Sequence, residues 1–432
     1  MSLSPDKEKA LEIFTDFMSN KNKKIMLIQG PPGVGKTYFI NKIVETYINT
    51  NTVTSLIDPK TKKLTSSNVI LTATTHKAKK VIIDDVTDNI SKEYKMDFKT
   101  CTIHSLLGLK VYYNYKMELA YSIDKNFVPF NFNSNNSLLI IDEASYIDTK
   151  LAAHINTLVN QNPKLKLVYV ADKYQGKPVK EDISPIFTQY DTYAELSSRF
   201  RFPEGGSIHL NSVSIEDFIK NETPIDLVYD DNFKIVGQQE FVDIVNNEIV
   251  TSTNPATKII VYHNKTANYY NNEIQVAKYK SSRIQPNQVL INNNTYINRK
   301  DSISIPNEQI VTVANVEKDS KYISGIECIC LYLKGFRAPF YIIKDYKTYN
   351  KKLAKAKADK DWTLFYTLQE SFIDLRQPWA MTSHKSQGST FNNVIIDAND
   401  LELMPKEDFY HMLNVAITRA KNNVYVYRSD LE

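Results

Sequence analysis

Short, continuously apolar runs alternate along the chain with longer amphipathic stretches. The runs are Lys24–Gln29, Ser67–Thr72, Leu138–Ile141, Leu167–Val170, Lys258–Tyr262, Val394–Ile396 and Val424–Tyr427. They do not alternate apolar with polar, so each predicts a strand buried on both faces, as in a parallel sheet covered by crossover helices. Several end in polar residues that open a turn, the place where open α/β sheets bind ligands. The rhythm occurs once before about residue 187 and again in two pieces after it. That predicts two parallel sheets, each carrying an insertion.

The insertions are visible as breaks in the rhythm. Residues 109–136 are rich in aromatic residues and asparagine, without helical period, and predict a small β-excursion. Residues 284–345 form a second β-rich block, with alternation in Ile310–Val313 and Ile326–Leu333. A lysine-heavy helical stretch, Tyr349–Phe372, follows, in which Trp362, Phe365, Tyr366 and Phe372 stand at packing spacing. Its run Lys351–Lys357 reads as a solvated helix face or as a basic face toward nucleic acid. Pro203–Ser207 reads as a loop, and no repeat of solenoid period is present.

Composition narrows the class. At about 150 residues per domain, 432 residues make two to three units. With 42% hydrophobic and 24% charged residues the chain is neither disordered nor fibrous. A net charge of +4 leaves a nucleic-acid partner open, because a basic groove can hide in a near-neutral total. Cys101, Cys328 and Cys330 make no disulfide framework and no zinc spacing, which suits a reducing compartment. The N-terminus lacks an apolar signal core, and no run approaches the ~18 residues a membrane span needs. The expectation is a soluble, cytoplasmic protein with no membrane partner.

Gly30, Pro31, Pro32, Gly33, Val34, Gly35, Lys36 and Thr37 follow the first strand directly and precede a helical stretch. This is G-x4-G-K-[ST] in its required setting. Backbone N–H groups wrap phosphates at a helix N-terminus, Lys36 reaches the β/γ-phosphates, and Thr37 ligates Mg²⁺. The strand Leu138–Ile141 runs into Asp142 and Glu143. Asp142 at a strand tip can hold Mg²⁺, leaving Glu143 to take a proton from attacking water. A strand ending in a helix N-cap is the blander alternative. Leu167–Val170 ends in Ala171-Asp172-Lys173-Tyr174-Gln175, where Gln175 can orient that water or remain an ordinary loop residue. Late in the chain, Thr382–Ser389 is a polar loop before a strand, and Leu413–Ala420 is helix-like with one arginine, Arg419. Alone, each reads as a solvated surface.

In this order the five segments closely resemble superfamily 1 helicases, in the 5′→3′ branch that contains the RecD and Dda proteins, over nearly the whole chain. The resemblance implies two RecA-like P-loop domains with parallel sheets, the first carrying a β-hairpin and the second an SH3-like insertion. It implies a first domain over 1–187 with its hairpin at 109–136. The second domain covers 188–270 and 373–432, and its insertion 271–372. Thr75, His76, Lys77, Thr102 and His104 then look like DNA contacts of the first domain. His263, Asn264, Lys265, Thr382 and His384 look like those of the second, whereas Gln387 and Gly388 face the nucleotide. Arg201, favoured over Arg199, and Arg419 resemble the two arginines that reach the γ-phosphate. Implied cofactors are ATP and Mg²⁺. Implied partners are single-stranded DNA and duplex junctions, met as a monomer alongside replication or recombination proteins. An RNA helicase and a nucleotide-switched clamp that does not unwind are the alternatives.

Three departures stand out. Lys7 occupies the N-terminal stretch where the family often carries an adenine-reading glutamine, Ala171 replaces a glycine, and Thr74 a proline. The rings at Tyr112, Tyr113, Tyr115, Phe127, Phe130 and Phe132 either stack on bases or form the hairpin's own core.

Overall fold

The computed structural model describes residues 3–431 apart from 51–54, 58–63, 75–78, 80–89, 92–93, 95–96, 114–118, 124–126, 131, 133–136, 175–177, 179–180, 199–204, 253–255 and 299–302. The chain divides into two compact units: Met1–Val228 with Tyr410–Thr418, and Tyr229–Phe409 with Arg419–Glu432.

The first unit begins with helix α1 (Pro5–Ser19). Pro5 opens the first turn, where its missing N–H costs nothing, and Asp6 and Glu8 complement the helix dipole. Ala10, Phe14 and Phe17 form its buried stripe. Then come β1 (Ile25–Gln29), α2 (Lys36–Thr50), β2 (Ser55–Ile57), β3 (Leu64–Ala73) and β4 (Asp97–Thr102). They are followed by the hairpin strands β5 (Leu109–Tyr113) and β6 (Leu119–Ile123), then β7 (Ser137–Asp142), β8 (Leu165–Ala171) and β9 (Thr192–Glu195). The main sheet runs β2-β3-β7-β8-β1-β9, with β4 on β3, and is parallel except where β2 joins. β1 therefore lies between β8 and β9, paired Gln29 to Ala171 and Gln29 to Glu195. Every residue of β7 and β8 is buried, as their unbroken apolar runs predict.

The charged residue inside β8 is Lys166. It is 6% exposed, and its amine donates to the carbonyls of Phe17, Asn20 and Lys23, closing the C-terminal end of α1. The β5–β6 hairpin is antiparallel and lies where the β-excursion is expected. Phe130 and Phe132 meet edge to face at 5.0 Å and pack with Tyr121 on the unit's core, which favours the core reading for these rings. Gly108 has φ +66°, and a Cβ there would stand 2.2 Å from the Phe127 ring, so only glycine fits. Tyr115 and the side chains of Tyr112 and Tyr113 lie outside the described residues.

The second unit carries a five-stranded parallel sheet and a separate antiparallel one. Its strands are β10 (Phe233–Val236), β11 (Thr257–Val261), β12 (Val289–Asn292), β13 (Tyr296–Asn298), β14 (Ile303–Ile305), β15 (Ile310–Val316) and β16 (Lys321–Ile323). β17 (Ile326–Leu333), β18 (Pro339–Ile343), β19 (Leu375–Arg376), β20 (Ala380–Thr382), β21 (Phe391–Asp397) and β22 (Ala420–Tyr427) complete it. The parallel sheet runs β10-β22-β21-β11-β20 and the antiparallel one β16-β17-β15-β12-β19, with β18 on β17. All seven strands read from the sequence are present. The lysine-heavy stretch is two helices, Tyr346–Ala358 and Trp362–Ser371, broken at Lys360 with φ +56°. Ala356 is the buried residue of the first, which makes most of that helix a solvated face. In the second, the packing expectation holds for Phe372 but not for Trp362 and Tyr366, which are 50% and 54% exposed. Leu368 fills the buried position instead, because the helix presents a different stripe to the sheet. Among the described residues no helix is long and apolar enough to cross a membrane.

Lys166→Met would orphan three carbonyls at once. It should lower stability by about 1–3 kcal/mol, read as the midpoint of urea unfolding; an unchanged midpoint would show that the amine does not hold α1.

Candidate nucleotide and nucleic-acid sites

The phosphate loop leaves β1 at the C-terminal edge of the first sheet. Gly30 N donates to Ala171 O at 3.1 Å, fixing where the chain departs. Gly33 and Gly35 have φ +84° and +76°, which the loop needs if successive N–H groups are to turn inward. α2 begins at Lys36, so the loop ends on a helix N-terminus, where the dipole favours phosphate. The Lys36 amine donates to Gly30 O at 2.7 Å and Pro31 O at 3.1 Å, and stands 3.9 Å from Asp172 Oδ2.

Two strands away, β7 delivers Asp142 and Glu143. Asp142 is 5% exposed and accepts from Glu143 N at 2.8 Å. Burial, and then the neighbouring Glu143 charge, push its carboxyl up to about 7 against the pull of Lys36. Glu143 itself is left-handed at φ +52°, a conformation that costs energy in a non-glycine residue, and Thr74 Oγ1 donates to its carbonyl at 3.0 Å. Thr74, the departure from proline, thus has a local use. Asp172 was not singled out from the sequence. Its peptide is clamped by Ser145, whose hydroxyl donates to Asp172 O and accepts from Asp172 N, while Oδ2 makes no hydrogen bond among the described residues. The Thr37 hydroxyl, Asp142 and this Asp172 oxygen suit a hard cation that keeps much of its coordination in water and phosphate. No cluster of three or more His, Cys, Asp or Glu able to hold a metal alone occurs among the described residues.

Lys7 lies against the same loop. It is 2% exposed and donates to Ser4 Oγ at 3.2 Å, and its Cε would be 3.9 Å from a Cβ on Gly35. Burial holds its amine below the usual lysine range, with Asp6 partly opposing.

The residues expected to touch DNA share a local design. β4 ends at Thr102, whose hydroxyl accepts from Ser105 N and caps the short helix Ile103–Leu106, with His104 in its first turn. In the second unit β20 ends at Thr382, whose hydroxyl accepts from Lys385 N and caps Ser383–Ser386, with exposed His384 in its first turn. Both threonines are 5% exposed and their hydroxyls serve as caps. His263 precedes the helix Asn264–Tyr279, whose exposed Asn264 and Lys265 open the first turn. This turn hangs on Asp400, which the sequence did not reveal. Its carboxylate accepts from Tyr262 N, His263 N and Thr266 Oγ1, and meets His263 Nδ1 at 2.9 Å.

In the same unit, Gly388 has φ +71° beside Gln387, and Arg419 Nη1 donates to Ser389 O at 3.2 Å. The structure therefore brings Gln387, Gly388 and Arg419 together. Arg419 is 1% exposed, which rules out the solvated-helix reading of that residue. Thr75, His76, Lys77, Gln175, Arg199 and Arg201 lie outside the described residues.

The raised Asp142 carboxyl predicts a pH effect with a definite sign. The folded chain keeps the proton that the unfolded chain loses near 3.8, so this group stabilises most at low pH and the benefit disappears as pH rises to about 7. Melting midpoints of the metal-free protein, compared with Asp142→Asn, should fall over that window; a constant difference would refute the shift.

Residues 17–181 match the AAA domain family, and residues 378–427 match the UvrD-like helicase C-terminal domain. The chain is 25% identical to the RecBCD enzyme subunit RecD of Buchnera aphidicola subsp. Schizaphis graminum, over 93% of this chain and 70% of that one. It is 23% identical to the ATP-dependent DNA helicase dda of Enterobacteria phage T4, over 94% of each. The fold matches the Pif1 helicase from Bacteroides in complex with ADP-AlF3 and ssDNA with a TM-score of 0.51 and 15% identity, over 99% of this chain and 92% of that one. With the phosphate loop, the acids of β7 and the Arg419 segment all falling inside the matched regions, the chain carries an AAA domain and a UvrD-like helicase C-terminal domain and is similar along its length to superfamily 1 helicases, in the branch that holds RecD and Dda.

Proposed function

We propose that the chain is an ATP- and Mg²⁺-dependent DNA helicase that moves 5′→3′ along single-stranded DNA and separates duplex at junctions. The observation that carries the reading is the phosphate loop on β1 with the Lys36 amine 3.9 Å from Asp172, in a sheet whose next strand tip bears Asp142 and Glu143. The RecD and Dda relatives support the helicase class, the Pif1 structure supports the fold, and the polarity is what the family resemblance implies.

In this reading the loop amides and Lys36 bind the triphosphate, and Thr37 and Asp142 hold Mg²⁺, which neutralises phosphate charge when bound. Glu143, its backbone fixed through Thr74, accepts the proton of the attacking water, and Gln175 orients that water. Arg201 and Arg419 neutralise charge developing on the transferred phosphoryl group, an effect worth about 10³–10⁵ in rate for some P-loop enzymes. His76, His104, His263 and His384, with Thr75, Lys77, Thr102, Asn264, Lys265 and Thr382, mark the strand path. The protein works as a monomer in the cytoplasm of a bacterial or phage-infected cell, beside replication or recombination proteins. If grip on the strand differs between nucleotide states, each cycle of hydrolysis becomes directed movement.

Lys36→Ala should abolish ATP hydrolysis while leaving single-stranded DNA binding largely intact; wild-type turnover would refute the phosphate-loop assignment. Duplexes with a 5′ tail should unwind with ATP, and those with only a 3′ tail should not. Unwinding of the 3′-tailed substrate alone would reverse the polarity, and no unwinding of either would favour a clamp.

A further inference from the structure

The first turn of α1 does more than start a helix. Asp6 is the second residue of α1, a position where a carboxylate often serves its own helix. Here its side chain reaches across 191 residues of sequence instead. Asp6 Oδ2 accepts from Ser197 N at 2.8 Å and Ser198 N at 3.0 Å, and Oδ1 accepts from Ser198 Oγ at 2.7 Å. Burial raises this carboxyl, but the donors from Ser4, Ser198 and Ser197 outweigh it and hold Asp6 well below the usual carboxylate range. The group stays ionised at any working pH, so its hydrogen bonds are charge-assisted and strong.

What Asp6 grips is the stretch that leaves β9. β9 runs parallel to β1, and Leu196 N donates to Gln29 O at 2.8 Å, continuing the pairing to the brink of the phosphate loop. There the two chains nearly touch. A Cβ on Gly30 would stand 2.9 Å from Leu196 O and 3.1 Å from Leu196 Cβ, closer than real contacts allow. Leu196 is fully buried at 0% exposure. Residues 196–198 are thus fixed on one side by the first residue of the loop and on the other by Asp6. The neighbouring Lys7 lies against Gly35, so one helical turn touches the loop and the strand that runs beside it. In sequence, Ser198 is followed directly by Arg199-Phe200-Arg201.

We infer that Asp6 is a positioning residue for ATP hydrolysis: by fastening Ser197 and Ser198 beside the phosphate loop, it fixes the point from which the arginine-bearing stretch starts. The inference rests on the reading of Arg201 given under the proposed function. Asp6 touches no substrate, and its effect runs through the arginine. Small displacements of a charge-stabilising group cost rate rather than affinity, and a shift on the order of 1 Å can cost ~10²-fold.

The test is a double-mutant cycle in DNA-stimulated ATP hydrolysis, using wild type, Asp6→Ala, Arg201→Ala and the double variant, with melting midpoints for each. Asp6→Ala should lower kcat about tenfold while KM for ATP stays within about twofold, and should add almost nothing to the loss already caused by Arg201→Ala. Asp6→Glu should recover part of the rate. Asp6→Asn keeps the shape and one acceptor oxygen, and carries the same test should the alanine variant melt too low. Wild-type kcat in both Asp6→Ala and Asp6→Asn overturns the inference. So does a loss that multiplies fully with that of Arg201→Ala, since that is the signature of a merely structural contact. An unimpaired Arg201→Ala would instead strike the arginine assignment and take this inference with it. Absence of ATP hydrolysis in the wild type would strike the ATPase reading itself.

Discussion

The nucleotide site depends on one constraint: a backbone stripped of side chains must be held rigidly at the end of a strand buried on both sides. Wrapping phosphate with N–H groups requires φ values that only glycine adopts cheaply, and Gly33 and Gly35 supply them. A flexible glycine loop would lose that geometry, so its ends are pinned. Gly30 N is bonded to Ala171 O, β1 is paired on both edges, and α2 starts at once with Phe39, Ile40, Ile43 and Val44 buried. The cost of ordering the loop is met by the sheet before any phosphate arrives. The acids follow from the same sheet, because parallel strands place all their C-terminal ends on one edge, and Asp142 and Asp172 stand there beside Lys36.

Much of this was legible in the sequence for a simple reason. Strands buried on both faces are written as unbroken apolar runs, so LLII and LVYV could be read without knowing their neighbours. The phosphate loop was legible because its chemistry is local, with all its residues contiguous. Residues whose role is set by distant partners were not. Asp400 looks like one acid in an acidic stretch until it is seen accepting from Tyr262, His263 and Thr266, more than 130 positions earlier. Asp6 looks like a helix-starting acid, and Lys166 like a lapse in an apolar strand. Each is a charged side chain that bonds backbone groups elsewhere, and backbone groups carry no sequence signal. Trp362 and Tyr366 failed for a related reason: helical spacing shows that residues share a face, but not which face turns inward.

The paired threonine–histidine turns show how the chain converts a cheap local motif into a presented side chain. At Thr102 and at Thr382 a parallel strand ends, the threonine turns inward and caps, and a helix of one turn carries a histidine as its second residue. A threonine suits the junction because its branched side chain is at home in a strand and its hydroxyl can still replace a missing helix acceptor. The serines on either side reinforce the turn. Ser105 Oγ shares the Thr102 hydroxyl, and Ser386 Oγ donates to Ser383 O. Spending these hydroxyls on the backbone makes the turn rigid, so the histidine is presented from a fixed scaffold rather than a floppy loop.

The recurrence also constrains how the site residues should be weighed. A hydroxyl already committed to a cap is a poor choice for an exposed nucleic-acid contact, whereas His263 and His384 are exposed and His104 is partly so. His263 differs from the other two in being tethered, through Nδ1, to Asp400, which also holds the turn's backbone. That tether fixes the orientation of the imidazole and leaves Nε2 as its remaining polar atom. The threonines therefore fix the geometry of the turns, and the histidines, with exposed Asn264 and Lys265 in the second unit, are the polar side chains that each turn presents.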